Sequence, residues 1–344
     1  MNSDTTLELA DPRWADFVAG HPAATPFHHP DWGRLVAGCY GFRAFALAIS
    51  DATGRIRAGL PVVEVRHLHG EPKWVSLPFT DYCPPLSTRQ EEPQLVCAIQ
   101  RASRAAGVRR VEVRAPLEGA SAPGRAALRH VLALDGDPAR VYAGFHRSQV
   151  QRNIRRAERE GLTVRQAAHQ QDLVGTFYQL HLRTRRRQGV PVQPRRFFRL
   201  LWESVISTGL GSLLIVEASA RPVAAAVLLA WNGTVIYKFG ASDASAWSLR
   251  PNHLLFWHAI RTACDQGYEW FDFGRTDIGQ EGLRRFKLSW GAVEQPLIYG
   301  SLGGRTEPAQ AKEGMGAQVL GPVIRHGPLL LCRAVGETLY RYIA

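Results

Sequence analysis

Residues Phe271–Ala292 read FDFGRTDIGQEGLRRFKLSWGA, the densest alternation of aromatic and charged side chains in the chain. Trp270-Phe271-Asp272-Phe273 has the aromatic content of a strand, and Gly274 is expected to end it. Arg275, Thr276 and Asp277 then fall on a loop, and a short basic helix near Gly282–Leu288 carries Phe286 and Lys287. The carboxyl end of a strand is where α/β sheets place ligands. Asp272 and Arg275 can pair there and brace the loop. Lys287 sits between Phe286 and Leu288, so it is expected to face a cleft rather than bulk water. A cation in that place can stabilise an oxyanion developing on a carbonyl.

The elements before this stretch come in an order that also occurs earlier in the chain. In the second half, helices are expected at Ser148–Glu160, Gln170–Gln188 and Arg195–Ser207. Three strands follow (GSLLIVEAS, RPVAAAVLLAWN, TVIYKFGAS), then a helix at Asn252–Gln266 and the strand YEWFDFG. Pro251 suits the first turn of its helix and Gly267 its end. In the first half, PRWADFVAG and HPDWGRLVAGCYG read as helices, and RAFALAIS, RIRAGLPVVEVRH and PKWVSLP as strands. A helix near Glu91–Ala106, the strand RRVEVRA and a helix near Ala122–His130 complete it. The architecture is duplicated, the sequence is not. The expected class is α/β (α+β): two domains, 1–145 and 146–300, each a mixed, mostly antiparallel sheet with one crossover, flanked by helices. Residues 301–344 form a tail expected to pack back on the first domain.

Composition sets further bounds. The 344 residues are 45% hydrophobic and 21% charged, ordinary for a globular protein with ample core. No apolar run follows MNSDTTLELADPRW, so no signal peptide is expected and the cytoplasm is the default. Five cysteines (39, 83, 97, 264, 332) form no CxxC pair. His28-His29 and His67-x-His69 lack spaced partners, so no metal site is expected. No glycine-rich nucleotide loop and no G-x-S-x-G elbow occur, and no cofactor is expected.

The net charge is +12, and between Arg147 and Arg199 thirteen arginines face three acidic residues, a local +10. Such a concentration points to a polyanionic partner or an anionic surface, the alternative being a coding bias that places arginine on solvated faces. Arg152, Arg155, Arg156 and Arg159 follow helical spacing on one face, a row that can track phosphates bidentately. RTRRR, Arg183–Arg187, adds a second cluster at a helix end, where the helix dipole alone also favours cations.

The stretch Phe271–Ala292 with the following PLIYG resembles the C-terminal signature of the FemAB family of aminoacyl-tRNA-dependent aminoacyl transferases. The likeness extends to HPDWGRLVAGCYG, LPFTDYCPPL, RTRRRQGVP, YKFGAS and PNHLLFWHAI, from about Pro26 to Gly300. It implies two tandem GNAT-like domains, in keeping with the duplicated order. It implies a Phe286-Lys287 pair at the acyl-transfer centre, and Tyr237 and Arg187 on acceptor phosphates. The coiled helical arm that some of the cross-bridge enzymes insert in the second half is absent, and only Arg34 follows Trp32 where those enzymes carry a lysine. The donor implied is aminoacyl-tRNA. The acceptor is an amine, lipid-linked or nucleotide-linked as in peptidoglycan precursors, with a peripheral contact to the membrane surface and none to DNA. Asp81 in PFTDYC is the one candidate base, and equally a turn-capping acid. Arg275 is counted with the substrate-binding residues.

Two other readings stand beside this one. An acyl-CoA-dependent N-acyltransferase on the same fold binds pyrophosphate with a [QR]-x-x-G-x-[GA] loop. The corresponding SLRPNHLL keeps Arg250 but has neither glycine, and Pro251 removes an amide donor. A non-enzymatic RNA-binding module accounts for the arginines but not for Phe286-Lys287.

Overall fold

The computed structural model describes residues 3–66, 71–121, 125–303 and 320–343; His67 and His69 lie outside them. The chain forms two units. One comprises Met1–Ala127, Pro296–Glu313 and Arg341–Ala344, and the other Leu128–Gln295 and Gly314–Tyr340. The division falls before the expected boundary at 145/146.

The first unit runs β1 (Ser3–Glu8), α1 (Pro12–Gly20), α2 (Pro30–Tyr40), β2 (Arg43–Ser50), β3 (Ile56–Val65), β4 (Lys73–Val75), α3 (Glu92–Ala105) and β5 (Arg110–Val113). Both α1 and α2 open on a proline at the first turn, and Gly41 ends α2 at φ 70°. With β13 (Gly300–Leu302) from late in the chain, the sheet order is β1-β2-β3-β4-β5-β13. Neighbouring strands of this sheet pair antiparallel except β4 with β5. The core lies where α3 meets this sheet, with Phe45, Leu60, Trp74, Ile99 and Val113 buried.

The second unit follows with β6 (Arg125–Ala133), α4 (Pro138–Ala143), α5 (Arg152–Arg159), β7 (Thr163–Gln166), α6 (Tyr178–Gln188), α7 (Arg195–Leu201), β8 (Gly211–Ala218), β9 (Arg221–Trp231), β10 (Thr234–Ser242), α8 (Pro251–Asp265), β11 (Trp270–Asp277), α9 (Glu281–Leu288) and β12 (Val293–Ile298). After β13 comes the tail helix α10 (Leu329–Leu339). The helices α5 and α6 are each entered through a wide π turn, Arg147–Gln151 and Asp172–Phe177. The sheet order is β12-β6-β11-β10-β9-β8-β7. The β9–β10 turn is Asn232-Gly233, at φ 44° and 70°, the two-residue geometry that matches strand twist.

In both units a three-strand meander leads through a helix to a parallel strand, as the duplicated order implies. The fold is α/β, with two mostly antiparallel sheets flanked by helices. Three details depart from the sequence reading. Of the helix expected near Ala122–His130, residues 122–124 lie outside the described residues, and from Arg125 onward the segment is instead strand β6. Ala127, Leu128, His130, Val131 and Leu132 are all buried, so sheet pairing outweighs the helix propensity of Ala, Leu and Arg. Strand β11 does not stop at Gly274 but continues through Arg275, Thr276 and Asp277. It runs beside β6, and Gly274 at φ 72° bends it without ending it. The tail helix α10 belongs to the second unit, not to the first domain. Arg186 Nε donates to the Gly327 carbonyl at 2.7 Å, and Arg195 N to the Glu337 carboxylate at 3.1 Å. Gly336 permits the approach, because a β-carbon there would overlap the Val192 carbonyl.

Candidate active site

Strands β10 and β11 are parallel neighbours over three pairs only, Thr234–Trp270 to Ile236–Asp272. Past that point β10 bulges between Tyr237 and Phe239 and continues along β9 to Ser242, while β11 runs on to Asp277. The carboxyl ends of two parallel strands thus part, and the connection out of β10 leads to the N-terminus of α8. That connection is braced. Asp243 accepts from Ser245 N at 3.0 Å and pairs with Arg221 at 2.7 Å, capping a 3₁₀ turn over Ala244–Leu249. Arg250 follows in the left-handed region at φ 64°, and Pro251 opens α8.

The arginine face of α5 meets this point. Arg152, Asn153, Arg156, Arg159 and Arg250, with one carboxylate, Glu160, line a hollow of about 540 Å³. Arg156 lies 3.6 Å from Glu160. Arg250 Nε is buried without a hydrogen-bond partner. His253, one turn into α8, is held neutral, its pKa pushed down to about 4 by burial and then by the Arg250 charge. The four-arginine row of the sequence divides here. Arg155 is not part of the hollow: it donates to Gln151 Oε1 at 3.2 Å and to the Tyr142 hydroxyl at 3.4 Å. Four guanidinium groups around one cavity suit an anion with several charged oxygens.

Lys287 is almost fully buried, at 3% exposure. Its ammonium donates to the carbonyls of Gly274 at 2.8 Å and Arg275 at 2.9 Å. Consecutive strand carbonyls normally point to opposite sides. The positive φ of Gly274 brings these two to one cation and so ties α9 to β11. The pairing expected between Asp272 and Arg275 does not form. Asp272 binds Arg129 of β6 at 2.6 Å and accepts from Gly274 N at 2.8 Å, whereas Arg275 pairs with Asp277 at 2.7 Å. The reason is the strand itself: once β11 continues past Gly274, the side chains of 272 and 275 lie on opposite faces. Beside Lys287, His130 of β6 is fully buried, with Nδ1 3.4 Å from the Thr276 hydroxyl and Nε2 3.5 Å from Glu294. Burial, then the Lys287 charge, pushes its pKa down to about 4. Glu294 is held by Arg284 through contacts of 2.6 and 3.3 Å. Sequence reading did not single out His130, because it lay in the segment taken for a helix.

Phe286 packs into an aromatic group with His253, Phe256 and Trp290, at centroid distances of 5.4, 5.7 and 6.0 Å. Tyr237 packs on Phe256 at 4.6 Å, and burial pushes its phenol pKa up. Its hydroxyl occupies the space that a side chain on Gly240 would need. The RTRRR cluster is mostly turned onto the chain's own groups. Arg185 donates to Pro191 O at 3.0 Å and Arg186 to Gly327 O, and Arg187 lies over the Trp247 ring at 4.8 Å. Asp81 and Arg34 belong to the first unit. The Asp81 carbonyl accepts from the Tyr299 hydroxyl at 2.9 Å, and Arg34, on an exposed face, pairs with Asp31 at 3.4 Å.

Residues 144–288 match the family model described as acetyltransferase (GNAT) domain. Together with the two-sheet fold, that match supports an acyltransferase on a GNAT-like fold. No curated protein sequence matches the chain. Among solved structures, the crystal structure of FemX is similar over 86% of this chain and 96% of that one, with a TM-score of 0.67 at 14% identity. L-PGS from Bacillus licheniformis is similar over 93% and 99%, with a TM-score of 0.58 at 13% identity. A tandem GNAT protein from the clavulanic acid biosynthesis pathway covers 89% and 100%, with a TM-score of 0.53 at 12% identity. At such identities the likeness is one of fold. Among the described residues, no helix is long and apolar enough to cross a membrane.

Proposed function

We propose that the protein transfers an aminoacyl group from aminoacyl-tRNA to an amine acceptor. The observation that carries this reading is the hollow at the N-terminus of α8. It offers four guanidinium groups, one of them from the N-cap arginine, in place of a glycine loop, and Pro251 withholds an amide. Anion binding there rests on side-chain forks, suited to an RNA backbone, rather than on the backbone cradle suited to a coenzyme pyrophosphate. The sequence resemblance to the FemAB family implies the aminoacyl donor and an acceptor carried on a lipid or a nucleotide, and the fold similarity to FemX is in keeping with that resemblance.

In the reaction, the acceptor amine attacks the ester carbonyl of the donor. The carbon–nitrogen bond forms, the carbon–oxygen bond to the ribose breaks, and the amine's proton leaves with the ribose oxygen. Ester aminolysis is downhill, so the chain's task is orientation and charge stabilisation. Lys287, on α9 with its ammonium against the Gly274 and Arg275 carbonyls of β11, supplies the positive charge for the oxyanion, and Phe286 holds α9 in place. The test is a transfer assay with charged tRNA and, separately, acetyl-CoA as donor, with and without ribonuclease pretreatment of the donor. We expect ribonuclease-sensitive transfer from tRNA and none from acetyl-CoA. Ribonuclease-insensitive transfer from acetyl-CoA, with stoichiometric binding of that donor by calorimetry, would establish the acyl-CoA alternative instead.

A further inference from the structure

We infer that Trp247 is a stacking platform for an unpaired nucleobase whose neighbouring phosphate enters the arginine hollow. The inference rests on the polyanion reading of that hollow and assigns it a second component. Trp247 is 46% exposed, one of the largest apolar groups the second unit presents to solvent. Its exposure is not that of a loose surface ring. Its indole Nε1 donates to Ser242 Oγ at 3.0 Å, and the Arg187 guanidinium covers it at 4.8 Å. The turn that carries it is capped by Asp243.

Position gives the ring its meaning. The Trp247 carbonyl accepts from Arg250 N at 3.1 Å, and Arg250 lines the hollow with its Nε buried and unpartnered. One short, braced turn therefore joins a held, half-exposed aromatic to a cluster of guanidinium groups. That pairing is what a single-stranded nucleic acid needs: a π-face for a base and cations for the adjoining phosphate. Duplex RNA, with its bases stacked on one another, offers the phosphates but no free face. Arg187 takes a positioning role here, because a cation over one face of the ring helps to fix it. The same chemistry, a purine one step from phosphate, occurs in a single-stranded RNA end and in the adenosine of coenzyme A, so the experiment must separate the two.

The experiment measures binding of single-stranded oligoadenylate, blunt duplex RNA, inorganic polyphosphate and coenzyme A to the wild-type protein, Trp247→Ala and Trp247→Phe. Loss of one stacked base should weaken oligoadenylate binding to Trp247→Ala about 5- to 150-fold. Trp247→Phe, which keeps a ring, should recover most of that loss. Polyphosphate and duplex RNA should bind all three proteins alike, since they use the hollow only. Wild-type oligoadenylate affinity in Trp247→Ala would overturn the platform, and so would an equal loss for polyphosphate, which would reveal a disturbed Arg250. If coenzyme A alone binds, and Trp247→Ala loses it, the platform stands while the RNA donor falls. If no probe binds the wild-type protein, both fall.

Discussion

Among single residues, Lys287 carries the sharpest consequence. Its ammonium satisfies two carbonyls of β11 in a buried setting, so it is a structural tie as well as the proposed source of charge. Lys287→Met should remove both hydrogen bonds, at a cost of roughly 1–3 kcal/mol for the buried Gly274 contact. It should also lower turnover by about two to three orders of magnitude, the usual effect of losing an oxyanion-stabilising donor. Thermal denaturation and steady-state kinetics on the same preparation check both. Full turnover in a folded Lys287→Met protein would remove the residue from the mechanism. His130 gives a pH dependence. Its folded-state pKa of about 4 lies below the ordinary histidine value, because burial and the neighbouring lysine disfavour the cation. The unfolded chain therefore takes up the proton first, and stability held above about pH 6.5 should decline as the pH falls toward 4. His130→Gln should show a shallower decline of Tm across that window, and an unchanged slope would assign the acid sensitivity to other groups.

Among the elements, α5 shows how one helix can serve two purposes. Val150, Ile154 and Ala157 are buried in the core that α8 shares, which fixes the rotation of the helix. Arg152, Arg156 and Arg159 then reach the hollow, and Arg155 falls to the side, against Tyr142 and Gln151. Replacing Arg152, Arg156 and Arg159 together with glutamine should weaken RNA binding. It should reduce the log–log salt slope by a little under about one unit for each phosphate that is no longer neutralised. Arg155→Gln should leave the slope unchanged. The helix should survive, since glutamine is a good helix former. Titration of RNA binding against salt reads both variants. A triple variant with the native slope would return this face to solvent.

Over the molecule as a whole, the charge is unevenly used. The chain carries +12, yet many arginines of the basic segment serve the fold. Arg165 bridges Asp172 and Glu217 at 2.8 and 2.9 Å, Arg185 and Arg186 hold backbone carbonyls, and Arg195 lies over Tyr178 at 5.1 Å. Arg152, Arg156 and Arg159 gather instead at the α5–α8 hollow. The donor prediction therefore has a salt signature. Transfer from charged tRNA should fall steeply as ionic strength rises, because contacts to a polyanion release counterions on forming. Transfer from acetyl-CoA, if it were the true donor, would show a far weaker dependence.

The periodicity of the chain was enough to determine the repeated meander, helix and strand order and the parallel strand after each meander, because these depend on short-range spacing and turn chemistry; it also put four arginines on one helix face at 152–159, of which three line the hollow. Phe286 and Lys287 were legible for the same reason, as an aromatic and a cation adjacent on a short helix. The tertiary structure alone decided that Arg125–Ala133 is a strand, since its pairing with β11 and β12 comes from residues more than a hundred positions away. It decided that Asp272 pairs with Arg129 rather than with Arg275. It also decided which arginines face a cavity, and that Trp247 stands beside them. Local sequence sets the preference of a segment. The partners of a buried charge and the lining of a hollow are set by which segments meet, a property of packing that no window of neighbouring residues contains.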